Sequence, residues 1–167
     1  MHDELTKKDI EKMQQERDWR FNELRPKLLE EVKRTRAYGD LSENFEYKEA
    51  KREKNRNDSR IRYLEAMIKT AKVISDTSDD TSVGLYDKVE LYMPEDGRTE
   101  HIQVVTTVRC DPLNGLISKE SPLGTEVLGK KVGDEFTVTV SPTFSYKAVV
   151  KSIEKSEDDG SAPILQY

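Results

Sequence analysis

At 167 residues and 19.3 kDa the chain has room for one ordinary domain or two small ones, which excludes a large multidomain enzyme. Charged residues make up 37% against 34% hydrophobic and 7% aromatic, with a mean hydropathy of -0.83, so a single large core is excluded and part of the chain must be elongated or solvated. The net charge of -5 argues against an autonomous nucleic-acid binder, but residues 1–75 carry 19 Lys and Arg against 16 Asp and Glu whereas residues 76–167 carry 9 against 17, which implies two regions with different jobs.

From about Thr6 to Ala37 there is no Gly and one Pro, Pro26, among Glu, Lys, Arg, Gln and Leu. This composition predicts a long helix that Pro26 should bend or locally break. Ile10, Met13, Arg17, Phe21, Leu24, Leu28 and Val32 recur at the spacing of one apolar seam. A second stretch free of Gly and Pro, from about Ser42 to Ile74, carries Phe45, Ala50, Ile61, Leu64, Ile68 and Ala71. Folding about Tyr38-Gly39-Asp40-Leu41 pairs the seams, Phe21 near Ile61 and Met13 near Ala71, as an antiparallel coiled-coil hairpin. A helix of about 32 residues spans about 48 Å, so this region is a rod. Lys54 and Asn57 stand where the seam should continue.

The polar run Asp76 to Ser82 reads as a linker. Beyond it, Lys88–Tyr92, His101–Val108, Leu116–Ser118, Phe136–Val140 and Tyr146–Ile153 alternate or are β-branched, with turn signals between them. They predict a small antiparallel sheet. Ser121-Pro122 ahead of Leu123, Val127 and Leu128, closed by Gly129, predicts one short helix. The expected organisation is α+β: an arm over 1–75, a linker over 76–82, a globular domain over 83–157 and a flexible acidic tail over 158–167. An intramolecular hairpin covers its own seam, so a monomer is expected.

Cys110 is the only cysteine, which excludes an internal disulfide, and with His2 and His101 it falls short of a structural zinc site. Cys110 and His101 are read as packing or surface residues. The start, Met1-His2-Asp3-Glu4-Leu5, lacks a basic and then apolar stretch, and no run approaches the roughly 20 apolar residues of a membrane span. A cytoplasmic protein with no membrane partner is expected.

At the far end of the rod Asp40 precedes Glu43 by three residues. One reading is a capping box, with Asp40 capping the second helix and Glu43 reaching back. The other is a divalent-cation site, but Mg²⁺ takes one or two carboxylates plus other ligands, so this pair would be half a site completed by a partner. Lys51, Arg52, Lys54, Arg56 and Arg60, with Lys33, Arg34 and Arg36 opposite, make the shaft near the tip basic. They form either a solvated face laced by ion pairs or a surface that tracks phosphates.

Arg25-Pro26, then Tyr38-Gly39-Asp40-Leu41-Ser42-Glu43-Asn44-Phe45-Glu46-Tyr47, then Arg60-Ile61 and Leu64-Glu65-Ala66, resemble the coiled-coil arm of the bacterial Gre transcript cleavage factors, in their GreA rather than GreB form. Leu116-Ile117-Ser118 and the run from Ser121-Pro122-Leu123-Gly124 to Gly133-Asp134-Glu135 resemble that family's FKBP-like carboxy-terminal domain. The resemblance implies an RNA polymerase partner. The arm would enter the polymerase secondary channel, Asp40 and Glu43 would share a Mg²⁺ with the polymerase active site, and the polymerase would cleave the 3′ end of backtracked RNA. The factor itself would not be the nuclease. Arg36, Tyr38, Ser42, Asn44, Lys51 and Arg52 would meet RNA or polymerase, and Ser121, Pro122, Leu123 and Gly124 would dock the globular domain at the channel rim. Lys51 stands where the family usually has Arg, the family's usual Pro-Met-Thr start is missing, and Ser141-Pro142-Thr143-Phe144 replaces a Gly-rich turn. Competing functions are a channel-binding modulator or inhibitor without cleavage, a proline isomerase, which needs a pocket lined by Tyr86, Tyr92, Phe136, Phe144 and Tyr146, and a plain coiled-coil adaptor.

Overall fold

The computed structural model describes residues 3–39, 43–75 and 78–166. The chain divides into two compact units, one holding Asp9–Ala71 and the other Glu4–Lys8 together with Lys72–Gln166.

In the first unit helix α1 (Lys7–Trp19) passes into a π-helical turn (Arg20–Leu24) and on into α2 (Arg25–Arg36) without leaving helical backbone angles. Pro26 is the cause. It has no N–H to give the preceding turn, and in a regular α-helix its ring would strike the carbonyl four residues back. The π turn, in which the Arg25 amide donates to the Arg20 carbonyl, absorbs the mismatch with one extra residue. The expected bend or break at Pro26 is therefore a local widening of a continuing helix.

That extra residue rotates the remainder of the helix by about 100° and takes Phe21 out of the seam. Phe21 is 52% exposed, and Phe45, expected to start the second seam, is 79% exposed. The apolar contact on α3 (Phe45–Thr70) is carried by Ala50, Ile61 and Leu64. Between Ala50 and Ile61 the helices meet through polar groups instead. Glu16 accepts a two-pronged bond from Arg60 (2.9 and 3.0 Å) and a further one from Arg20 (2.7 Å). Arg20 also donates to the Asn57 side chain at 3.2 Å. Asp58 accepts from Arg25 (3.0 Å) and pairs with Lys54 (2.9 Å). Asn57 and Arg60 are buried. Their interruption of the seam is thus filled by a charged layer, and planar guanidinium forks suit it because one Arg can hold both carboxylate oxygens.

The second unit opens with a two-residue parallel pair, β1 (Glu4–Leu5) with β2 (Lys72–Val73), which the sequence pattern did not signal. Its centre is a five-stranded sheet made of β3 (Lys88–Met93), β4 (Arg98–Val105), β5 (Leu116–Ser118), β6 (Glu135–Ser141) and β7 (Phe144–Glu154), in the order β5-β4-β3-β7-β6. Neighbours are antiparallel except β4 and β5, so the sheet is mixed and not wholly antiparallel as expected. The reason is the connection: two 3₁₀ turns, Thr107–Arg109 and Pro112–Asn114, carry the chain back so that β5 enters alongside β4 in the same direction. Helix α4 (Pro122–Val127) packs on the sheet, and Leu91, Val104, Val127, Val138 and Val150 are among the fully buried core residues.

In the expected linker, residues 76 and 77 lie outside the described set, but Asp79 Oδ1 accepts from the Ser82 hydroxyl and amide (2.8 and 2.7 Å) and from the Thr81 amide and hydroxyl (2.9 and 3.0 Å). These bonds, the Ser82 hydroxyl foremost, hold the Asp79 carboxyl well below the usual range. The segment expected to be a flexible tail is docked over residues 158–166: Asp158 is buried and accepts from Arg109 at 3.0 Å, Arg109 also donates to the Ala162 carbonyl at 2.7 Å, and the Leu165 amide donates to the Val108 carbonyl at 2.8 Å. Composition missed this because Asp158 is acidic, and it is interior only because a buried guanidinium pairs with it.

Both buried charge clusters tie stability to their pairing. Burial acts to raise the Glu16 carboxyl, but the hydrogen bonds from Arg60 and Arg20 outweigh it and the net shift is downward. A folded-state value below the unfolded one stabilises the arm above the unfolded value and is lost as pH falls through the folded one. Glu16→Gln should therefore cost about 2 kcal/mol at neutral pH. The gap to the parent should close as urea melts are repeated below the ordinary carboxylate range. In the second unit, Asp158→Ala strands the Arg109 guanidinium and should cost about 3–5 kcal/mol, most of it recovered when Arg109→Met is added. Single and double variants with equal melts would contradict the buried pair.

Candidate functional site

The far end of the first unit is built by two helix termini. The last turn of α2 is anchored at Thr35, 1% exposed, whose hydroxyl donates to the Glu31 carbonyl at 2.9 Å. The chain turns through Gly39 at φ +107°, a left-handed conformation that a Cβ would penalise. Helix α3 then begins under the cap of Asn44, whose side-chain oxygen accepts from the Tyr47 amide at 3.0 Å. Of the expected capping pair, only Glu43 lies among the described residues. The cap is Asn44, and Glu43 is exposed and lies ahead of it. Asp40 and Ser42 are outside the described residues.

Around the tip, Tyr38 is 57% exposed beneath the Arg34 guanidinium, 5.4 Å from the ring centre, and Arg34 also donates to the Tyr38 hydroxyl. Arg34 pairs with Glu31 as well, and that bond holds the Glu31 carboxyl below its usual range. Arg36, Lys51 and Arg52 are exposed, as their expected contact role requires. The basic shaft is largely neutralised from within: Arg56 pairs with Glu53 (2.9 Å), Arg52 reaches Glu49 (3.9 Å), Lys54 holds Asp58, and Arg60 is buried on Glu16. Lys33, Arg36 and Lys51, near the tip, are exposed and have no ion pair among the described residues.

Carboxylate oxygen is the donor that Mg²⁺ takes, and Glu43, exposed and unused by the cap, fits such a role. Among the described residues no group of three or more His, Cys, Asp or Glu could enclose a metal ion.

Family models match both halves of the chain: the N-terminal domain of transcription elongation factors over residues 4–73, and the GreA/GreB C-terminal domain over 77–155. The chain belongs to the GreA/GreB family of transcription elongation factors. It is 39% identical over 154 residues to transcription elongation factor GreA of Thermoanaerobacter pseudethanolicus, covering 90% of this chain and 96% of that one. GreA of Caldanaerobacter subterraneus subsp. tengcongensis is 42% identical over 141 residues, with 81% and 87% covered. GreA of Bacillus subtilis is 38% identical over 134 residues, with 80% and 85% covered. Among solved structures, Gfh1 of Thermus thermophilus covers 93% of this chain and all of its own at 27% identity and a TM-score of 0.43.

In this Gre chain the four residues expected to dock the globular domain are also structural. Ser121 caps α4, accepting from the Gly124 amide at 3.0 Å and donating to the Ser118 carbonyl at 2.7 Å. Pro122 is exposed at the start of α4, and Leu123 packs partly against the core. Gly124 is buried so closely on the Ser118 carbonyl that a Cβ would stand 2.0 Å from its oxygen. The five aromatic residues are dispersed: Tyr86 and Phe136 are in the core, Tyr92 lies under Lys151, and Phe144, exposed at the β6–β7 hairpin end, stands 6.1 Å from Tyr146, with which it lines an open cavity beside Met93 and Arg98. His101 is exposed on β4 and Cys110 half-buried after a 3₁₀ turn. The residues that sequence reading missed are Thr35 and the capping role of Asn44. The signal was present, since Asn ranks among the best N-caps, but Asp40 and Glu43 drew the cap to themselves.

Gly124→Ala should destabilise the globular unit by about 1–3 kcal/mol, because backbone has to move to admit one methyl group. A thermal melt equal to that of the parent would show that the Ser121–Gly124 turn has slack.

Proposed function

We propose that this chain binds RNA polymerase, places its helical arm in the secondary channel and stimulates the polymerase to cleave the 3′ end of backtracked RNA, rescuing arrested complexes. Membership of the elongation-factor family and relatives named GreA support the reading. The observation that carries it is the exposure of Glu43: Asn44 caps α3, and the carboxylate just ahead of it stands exposed at the end of the arm. With Asp40 it would supply half of a Mg²⁺ site, the rest coming from the polymerase, and the ion would activate water and stabilise the leaving oxygen. The chain's own residues orient and deliver; the nuclease is the polymerase, and RNA enters only at its 3′ end. Lys33, Arg36 and Lys51 add positive charge where a phosphate backbone would approach. Ser121, Pro122, Leu123 and Gly124 form a rigid turn suited to docking at the channel rim.

The test is a stalled, backtracked complex with RNA labelled near its 3′ end. The parent protein should release 3′ fragments, and Asp40→Asn and Glu43→Gln, which keep shape and remove charge, should each slow cleavage at least ~100-fold, the scale on which positioned groups contribute, while still competing for polymerase. Binding without cleavage by the parent would leave a channel-occupying modulator as the function.

A further inference from the structure

A carboxylate that must share a metal with a second protein acts only if it is held within about 0.5 Å of its working position, and a turn between two helix ends is a poor place for that unless something ties the ends together. One side chain among the described residues does so. The Asn44 amide nitrogen donates to the Thr35 carbonyl at 2.7 Å while its oxygen accepts from the Tyr47 amide at 3.0 Å. The first bond adds a second donor to a carbonyl in the last turn of α2 that also accepts from the Tyr38 amide at 3.2 Å, and the second satisfies an amide at the start of α3 that the helix cannot pair internally. This orientation of the amide is the one that satisfies both partners. The anchor is itself fixed, because Thr35 is buried and its hydroxyl is bonded back to the Glu31 carbonyl.

We infer that Asn44 is a positioning residue of the cleavage-stimulating tip: by bridging the Thr35 carbonyl and the Tyr47 amide it sets the separation of the two helix ends and the direction in which the adjoining Glu43 is presented. The inference rests on the function proposed above and gives Asn44 a different role from the RNA or polymerase contact that the family resemblance implies, since both polar atoms of its amide are engaged within the arm. An amide is required. Aspartate caps a helix as well as asparagine but, when ionised, has no hydrogen to donate to Thr35, and serine caps but has one short hydroxyl to serve both partners.

The test uses the full-length protein and the variants Asn44→Asp and Asn44→Ser, which keep the cap and remove the bridge. Without polymerase, amide hydrogen exchange over residues 35–47 should quicken by ~10-fold in Asn44→Asp while the thermal midpoint is unchanged, the signature of local opening without global loss. On the backtracked complex, the variants should reach half-maximal effect at the parent's protein concentration. Their maximal cleavage rate should fall ~10-fold, and half-maximal cleavage should need more Mg²⁺, a change that general misfolding of the arm would not isolate. Parental exchange in the variants, or faster exchange with parental cleavage and Mg²⁺ dependence, overturns the inference. A parent protein that fails to cleave overturns the function instead, and the exchange experiment still decides whether the bridge exists.

Discussion

The lost hydrogen bond at Pro26 governs the arm. A regular helix cannot carry proline in its interior without stranding a carbonyl and crowding another, and the π turn over Arg20–Leu24 is where this chain accommodates it. The extra residue sends Phe21 outward and leaves Glu16 and Arg20 to meet Asn57 and Arg60 across the hairpin. An apolar seam that ran straight through would need no charges at its centre. Here the centre is a bidentate Arg60–Glu16 pair, partly shielded and fully specified in register, because a carboxylate and a guanidinium fork fit in few relative positions.

The same logic of satisfied backbone ends shapes the tip. Two helices ending side by side leave unpaired carbonyls on one and unpaired amides on the other. One asparagine side chain carries a donor and an acceptor and can serve both ends at once. That arrangement ties the two ends together, and Glu43 stands exposed beside it.

In the globular unit, burial of polar groups is concentrated at its margins. Asp87 and Asp158 each collect hydrogen bonds, some from segments distant in the chain: Asp87, buried, accepts from the Gly84 amide (2.8 Å), from Lys155 (2.6 Å) and from the Ser156 amide (3.0 Å). Asp158 does the same for the last residues through Arg109. Acidic segments that look solvated by composition are fastened here because each carboxylate finds several donors at once, which offsets its desolvation.

The sequence by itself determined the two long helices, the five main strands, α4 and the acidic pair at the turn, because helical and strand periodicities and turn residues are local properties that need no partner to be read. The match of the tip and of the Ser121–Gly124 turn to one family was legible for the same reason. Only the tertiary structure decided that Phe21 and Phe45 face outward, that β5 runs parallel to β4, that β1 pairs with β2, that residues 158–166 are docked, and that the Asn44 side chain reaches the Thr35 carbonyl. Most of these depend on a partner met only in the fold, Lys72 and Val73 for β1, Arg109 for Asp158, Thr35 for Asn44, and a carboxylate or amide carries no mark in sequence of which partner it will meet.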